Sequence, residues 1–285
     1  MKVGMNLLLW TLRPTADEHG RLLSQIKTWG FDGVEFPVAA MTADDVREMA
    51  KRSDDLGLER TAILAFGADQ ADPINPDPKL RRASVDLMKQ SIDKTRDLGA
   101  DILVGPMFQG LGRFTGKAPT REEWNWALEC ITEAANHAAS LHVRLALEPL
   151  NRFEMYLVNT MADGARFCRQ LNMPGVGLLA DTHHTNIEEE KPAEAWRQVA
   201  DHIYHVHISE NHRGIPGSGH AIGPDVFRML RQANYNGWLT IEAFGTKVKA
   251  LIPGLHIWRP FFKREEDVAV LGLKHIRESW ERAGA

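Results

Sequence analysis

The sequence predicts a single (β/α)8 TIM barrel, an α/β fold, over residues 1–285. Three observations predict it. Short apolar runs alternate with longer amphipathic segments from one end of the chain to the other, the pattern of a parallel α/β protein. Eight such repeats fit into 285 residues, an ordinary length for this barrel. The first strand is not followed by the glycine-rich phosphate loop that opens a doubly wound sheet, and neither GxGxxG nor GxxxxGK(S/T) occurs.

The first strand is expected over 3–9, closed by Thr11-Leu12-Arg13-Pro14, with a helix over 18–29. The next pairs are 33–36 with 42–56, 60–66 with 80–98, and 101–104 with 121–141. Their helix exits share one grammar: Trp29-Gly30-Phe31-Asp32, Leu56-Gly57-Leu58-Glu59 and Leu98-Gly99-Ala100-Asp101 each set a glycine where a left-handed cap residue ends a helix. The second half continues with strands over 144–148, 177–181, 203–208 and 238–242, and helices over 161–171, 193–200, 224–233 and 267–282. Segments 67–79 and 109–119 read as loops over the barrel mouth, and no linker or low-complexity tract divides the chain.

The chain is 44% hydrophobic and 25% charged, the ordinary range for a globular protein. Its 34 Lys and Arg against 38 Asp and Glu give a net charge of -4, so no overall positive field favours nucleic acid or an anionic membrane. A small-molecule partner is expected. No apolar stretch approaches the roughly 20 residues of a membrane-spanning helix, and no signal-peptide cleavage pattern follows the first strand, so a cytoplasmic location is expected. Cys130 and Cys168 fall in helix-like sequence and read as buried free thiols.

In this barrel, catalytic groups come from the C-terminal ends of several strands. There the second half places Leu147-Glu148-Pro149, Ala180-Asp181-Thr182, Val206-His207-Ile208 and Ile241-Glu242-Ala243. Four consecutive strands thus offer Glu148, Asp181, His207 and Glu242 to one place. Singly, each could be a helix cap, an ion-pair partner or a core histidine. Together, three carboxylates and an imidazole at the mouth of an apolar barrel repel unless a positive charge sits between them. A divalent cation meets that need, and this oxygen-rich set suits Mn, Mg or Co, with Zn also compatible by ligand type.

The segments Glu148-Pro149-Leu150-Asn151-Arg152-Phe153-Glu154, Asp181-Thr182-His183-His184, His205-Val206-His207-Ile208-Ser209-Glu210-Asn211-His212-Arg213-Gly214 and Ile241-Glu242-Ala243-Phe244 resemble the ketose 3-epimerases, which act on sugars of the D-tagatose, D-allulose and L-ribulose type. That group lies in the xylose-isomerase-like TIM-barrel superfamily. Gly30-Phe31-Asp32-Gly33-Val34-Glu35-Phe36-Pro37 also looks familial. The resemblance implies that Glu148, Asp181, His207 and Glu242 hold the metal, most often manganese. It further implies that Glu148 and Glu242 exchange protons with C3 from opposite faces, and that Glu154, His184 and Arg213 bind oxygens at the C1 to C3 end of the sugar. A homodimer or homotetramer is implied as well. Pro149-Leu150 replaces the common Val-Val or Ile-Val, and Ser209-Glu210-Asn211 the common Gly-Glu-Ser.

The chemistry can be argued without the family. A proton beside a ketone is weakly acidic, its removal leaves an enediolate that a Lewis acid stabilises, and inversion needs one group to take the proton and another to return it opposite. Trp10, Phe66, Met107 and Phe244 are candidates for the far wall of the sugar, and core packing would explain them equally. His183 and His205 read as structural. Rival readings are a hydroxypyruvate isomerase, a sugar-phosphate 3-epimerase or inosose dehydratase-like chemistry. A phosphate would call for a compact basic cluster near the mouth, which is not evident. An endonuclease IV-like nuclease would call for histidines on early strands, yet none occurs between His19 and His137. A non-catalytic sugar-binding protein would be better served by neutral amides.

Overall fold

A computed structural model describes residues 1–284 and closes eight parallel strands into one barrel in sequence order, with the eighth paired to the first. The strands are β1 (Lys2–Asn6), β2 (Gly33–Pro37), β3 (Glu59–Ile63), β4 (Ile102–Gly105), β5 (Arg144–Leu147), β6 (Val176–Asp181), β7 (Ile203–Ile208) and β8 (Trp238–Ile241). Around them run α1 (Ala16–Trp29), α2 (Ala43–Leu56), α3 (Pro78–Asp97), α4 (Arg121–Ser140), α5 (Met161–Leu171), α6 (Thr182–Glu188), α7 (Pro192–Gln198), α8 (Pro224–Gln232), α9 (Ile252–Leu255) and α10 (Glu265–Arg282). None of the described helices is long and apolar enough to cross a membrane.

Period-two alternation along each strand divides the barrel into two apolar layers. Outward residues such as Met5, Phe36, Leu145, Leu178 and Leu239 join the buried faces of the helices in the main core. Inward residues Ile63, Ile102, Val104, Ala146 and Leu179 fill the lumen as a separate small cluster. The registers pair Asn6 with Glu35 and Glu35 with Thr61 on one side, and Asp181 with His207 and His207 with Thr240 on the other. Polar inward positions of β1–β3 and β6–β8 therefore share the lumen above that apolar plug.

Gly30 and Gly57 end α1 and α2 in the left-handed conformation expected of them, with φ of 100° and 60°. Three differences from expectation shape the mouth of the barrel. The first strand stops at Asn6, whose side chain accepts the Leu8 N–H at 2.8 Å and turns Leu7–Leu9 into a 3-10 turn. The third strand ends at Ile63, three residues early, where the chain turns toward the mouth. Helix α6 was not foreseen: Asp181 caps it from the last residue of β6, accepting from His183 N and His184 N at 2.5 and 3.4 Å. Its polar run Thr182-His183-His184-Thr185-Asn186 carries little amphipathic signal.

Candidate active site

Glu148 follows β5 directly, Asp181 ends β6, His207 lies in β7 and Glu242 follows β8. Each offers one ligand atom, and the four atoms lie within 4.8 Å of one another. All four residues are buried. His207 Nδ1 stands 3.4 Å from Glu242 Oε1, 3.7 Å from Asp181 Oδ2 and 4.0 Å from Glu148 Oε1. Glu148 Oε1, Asp181 Oδ2 and His207 Nδ1 have no hydrogen-bond partner. Buried polar atoms seldom go unpaired, and these three face a common centre. The donor set therefore fits a divalent cation.

The charges respond to this crowding. Burial, and then the neighbouring Glu242 charge, raise the Glu148 carboxyl well above the ordinary range. Burial pushes Glu242 up too, but His207 and Arg213 outweigh it and hold Glu242 low. Burial works against a charged His207, yet Glu35 and Glu242 raise its pKa well above the usual value. The cluster thus contains one carboxyl driven toward neutrality and an imidazole driven toward charge.

Arg213 forms the wall beside this cluster. It sits after β7 with φ of 60°, held by its N–H to Glu210 O at 2.9 Å and by Phe244 N–H to its own carbonyl at 2.9 Å. Its guanidinium donates to Glu242 Oε2 at 2.8 Å and to Glu154 Oε1 at 3.2 Å, and lies 5.1 Å from the Phe244 ring centroid. His184, on α6, accepts the Asn151 N–H at Nδ1 over 3.1 Å. The ring's Nε2 lies 3.2 Å from Arg213 Nη2 and 3.6 Å from Glu148 Oε1. Neutrality is secured by burial first and the Arg213 charge second, which hold its pKa well below the usual value.

These groups open onto a cavity of about 400 Å³. Glu148, Glu154, His184, Arg213 and Glu242 line its polar end, and Leu8, Ile63, Phe66, Leu111, Phe244 and Leu251 are among its apolar walls. All seven residues singled out in the sequence are thus gathered in one place. The far-wall candidates divide: Phe66 and Phe244 line the cavity, whereas Met107 is buried in the core and Trp10 packs against that core. The apolar stretch after β8 covers part of the mouth through Leu251 and Leu255. His183 Nδ1 is bonded to Glu210 O at 2.9 Å, and burial lowers its pKa to about 3. A depression of about 730 Å³ at the opposite end of the strands holds Lys2, Arg60 and Arg144, each already in an ion pair with Glu59, Asp54 or Asp101.

Sequence reasoning gave no role to Glu35, Asn6, Thr61 or Asn151. Glu35 Oε1 lies 2.7 Å from His207 Nε2, and Asn151 orients both His184 and, through Nδ2 at 2.8 Å, Glu154. The available signal was parity: Asn6, Glu35 and Thr61 occupy inward positions of otherwise apolar strands.

The family model for the xylose isomerase-like TIM barrel matches residues 23–279. The L-ribulose 3-epimerase of Mesorhizobium japonicum is 32% identical over 293 residues, covering 100% of this chain and 98% of its own length. A probable ketose 3-epimerase of Synechocystis is 28% identical, with 99% and 97% coverage. Among solved structures, an L-ribulose 3-epimerase superposes with a TM-score of 0.93 at 31% identity, over 99% of this chain and 95% of that one. The D-allulose 3-epimerase of Methylomonas sp. in complex with D-allulose gives 0.91 at 26% identity, with 98% and 97% coverage.

Proposed function

Because this chain belongs to the xylose isomerase-like TIM-barrel family and, within it, to the ketose 3-epimerases, we propose that it inverts C3 of a free ketose with the help of a divalent cation. It is a sugar epimerase, an isomerase. The observation that carries the finer reading is the set of unpaired atoms, Glu148 Oε1, Asp181 Oδ2 and His207 Nδ1, converging with a Glu242 oxygen at the polar end of the cavity.

A cation held by Glu148, Asp181, His207 and Glu242, manganese in our reading with magnesium or cobalt as alternatives, supplies Lewis-acid stabilisation worth several kcal/mol to the oxygen-centred charge that develops. The side chains do the rest. One of Glu148 and Glu242 takes the proton from C3, leaving an enediolate across C2 and C3, and the other returns a proton to the opposite face. A single base would tend to restore the original centre. His184, Arg213 and Glu154 hold oxygens at the C1 to C3 end of the sugar. The apolar walls exclude water and strengthen these contacts. Arg213 is the one Lys or Arg among the cavity-lining residues and is already engaged by Glu242 and Glu154, which favours an unphosphorylated sugar.

The test strips the protein with a chelator, restores Mn, Mg, Co or Zn, and follows D-fructose, D-tagatose and L-ribulose in D2O by NMR. Deuterium should enter C3 as the C3 epimer forms, only with metal. Glu148→Gln and Glu242→Gln should each lower the rate by about 10² to 10⁴. Deuterium at C1 with an aldose product would instead assign an aldose-ketose isomerase.

A further inference from the structure

We propose that Glu35 is a positioning residue for the cation cluster, fixing His207 in the tautomer that turns its Nδ1 lone pair toward Glu148, Asp181 and Glu242. The inference rests on the cation reading above. Glu35 lies on β2, a strand that contributes no ligand, and its side chain spans the lumen to reach β7. Its Oε1 is 2.7 Å from His207 Nε2 and accepts from Asn6 Nδ2 at 3.0 Å. Its Oε2 accepts from Thr61 Oγ1 at 2.9 Å and lies 3.0 Å from His205 Nε2.

The chemistry of the pair decides the tautomer. Asn6 Nδ2 and Thr61 Oγ1 donate to the two Glu35 oxygens, so these oxygens are the accepting side of the contact and the proton on the His207 ring belongs on Nε2. The opposite tautomer would face an Nε2 lone pair toward Glu35 at 2.7 Å and aim an N–H at the cluster centre. The unpaired state of Nδ1 matches the first arrangement.

Filling the lumen does not account for a carboxylate here. Ile63, Ile102 and Leu179 fill the layer beneath it with apolar atoms, and a buried carboxylate is costly to desolvate. Nor does a neutral amide serve equally. Asn6 Nδ2 and His207 Nε2 face Glu35 Oε1 and Thr61 Oγ1 donates to Oε2, so an amide would turn an NH2 group against a donor in either orientation.

The experiment measures Mn affinity by competition with a chelating dye for wild type, Glu35→Gln and Ile102→Val, the last altering lumen packing alone. It adds 15N NMR of the histidines in the Mg- or Zn-loaded wild type. We expect Glu35→Gln to bind Mn about 10- to 100-fold more weakly, Ile102→Val to bind as wild type does, and His207 to carry its proton on Nε2. Equal affinity of wild type and Glu35→Gln, or a His207 proton on Nδ1, overturns the inference. The NMR result decides it if Glu35→Gln fails to fold. A wild type that binds none of Mn, Mg, Co or Zn overturns the cation reading itself and this inference with it, an outcome distinct from binding that is indifferent to Glu35.

Discussion

Arg213 holds a left-handed backbone conformation without being glycine, a state that costs on the order of 1 kcal/mol or more. The surrounding loop enforces it: the Glu210 carboxylate accepts from the N–H groups of Gly217 and Ala221 at 2.9 and 3.2 Å, and the Glu210 carbonyl accepts from Arg213 itself. The strain aims a planar fork at Glu242 and Glu154, which a lysine cannot copy. Arg213→Lys should therefore lower kcat/KM by roughly 10- to 100-fold, the worth of one charged hydrogen bond of about 1.5 to 3 kcal/mol, with the fold kept in circular dichroism. At the same scale, burial raises the Cys168 thiol to about 12 and the Cys130 thiol above its usual value. Neither should react with a thiol reagent at pH 8 until the protein is unfolded, and rapid labelling of the native protein would contradict their burial.

Asp181 joins two elements by dividing its carboxylate: Oδ1 caps α6 while Oδ2 is left to the cluster. The helix that carries His184 is thereby started by a member of the cluster, and a strand end becomes both a structural joint and part of the site. Helices α1 to α5 are begun by side-chain caps from Thr15, Thr42, Asp77, Thr120 and Thr160. Thr42 and Asp45 form a capping box at α2, as Thr120 and Glu123 do at α4. Thr120→Ala should lower unfolding stability by about 1 kcal/mol in urea. Asp45 also accepts from Arg13 Nε at 2.8 Å, and that hydrogen bond foremost holds its carboxyl down at about 2 against an ordinary 3.8. Because the folded pKa is depressed, this stabilisation is present above pH 3.8 and is lost as pH falls through about 2. The stability gap between wild type and Asp45→Ala should accordingly close across that window.

For the molecule as a whole, three buried carboxylates at the mouth oppose folding unless their charge is matched. A cation at 100 times its Kd would add about 2.7 kcal/mol, and calorimetry should show a melting temperature roughly 4 to 5 °C higher than after chelation. No change for any of the four metals would count against the cluster as a metal site. Near the same mouth, Phe153 and Trp258 are 65% and 69% exposed. The homodimer or homotetramer implied by the resemblance would be the state to seek by sedimentation velocity, where a monomeric mass would refute it. What the sequence by itself determined was the barrel, through its alternating periodicity, and the grouping of Glu148, Asp181, His207 and Glu242, because each lies at the C-terminal end of an apolar run and parallel strands carry such ends to one face. It did not announce where β1 stops, since Leu7–Leu9 is as apolar as a strand and only the Asn6 cap turns it. Nor did it separate Phe66, which lines the cavity, from Met107, which joins the core. The partnership of Glu35 with His207 was likewise decided in the tertiary structure, because contacts across a lumen follow from strand register and barrel closure, which no local pattern of residues encodes.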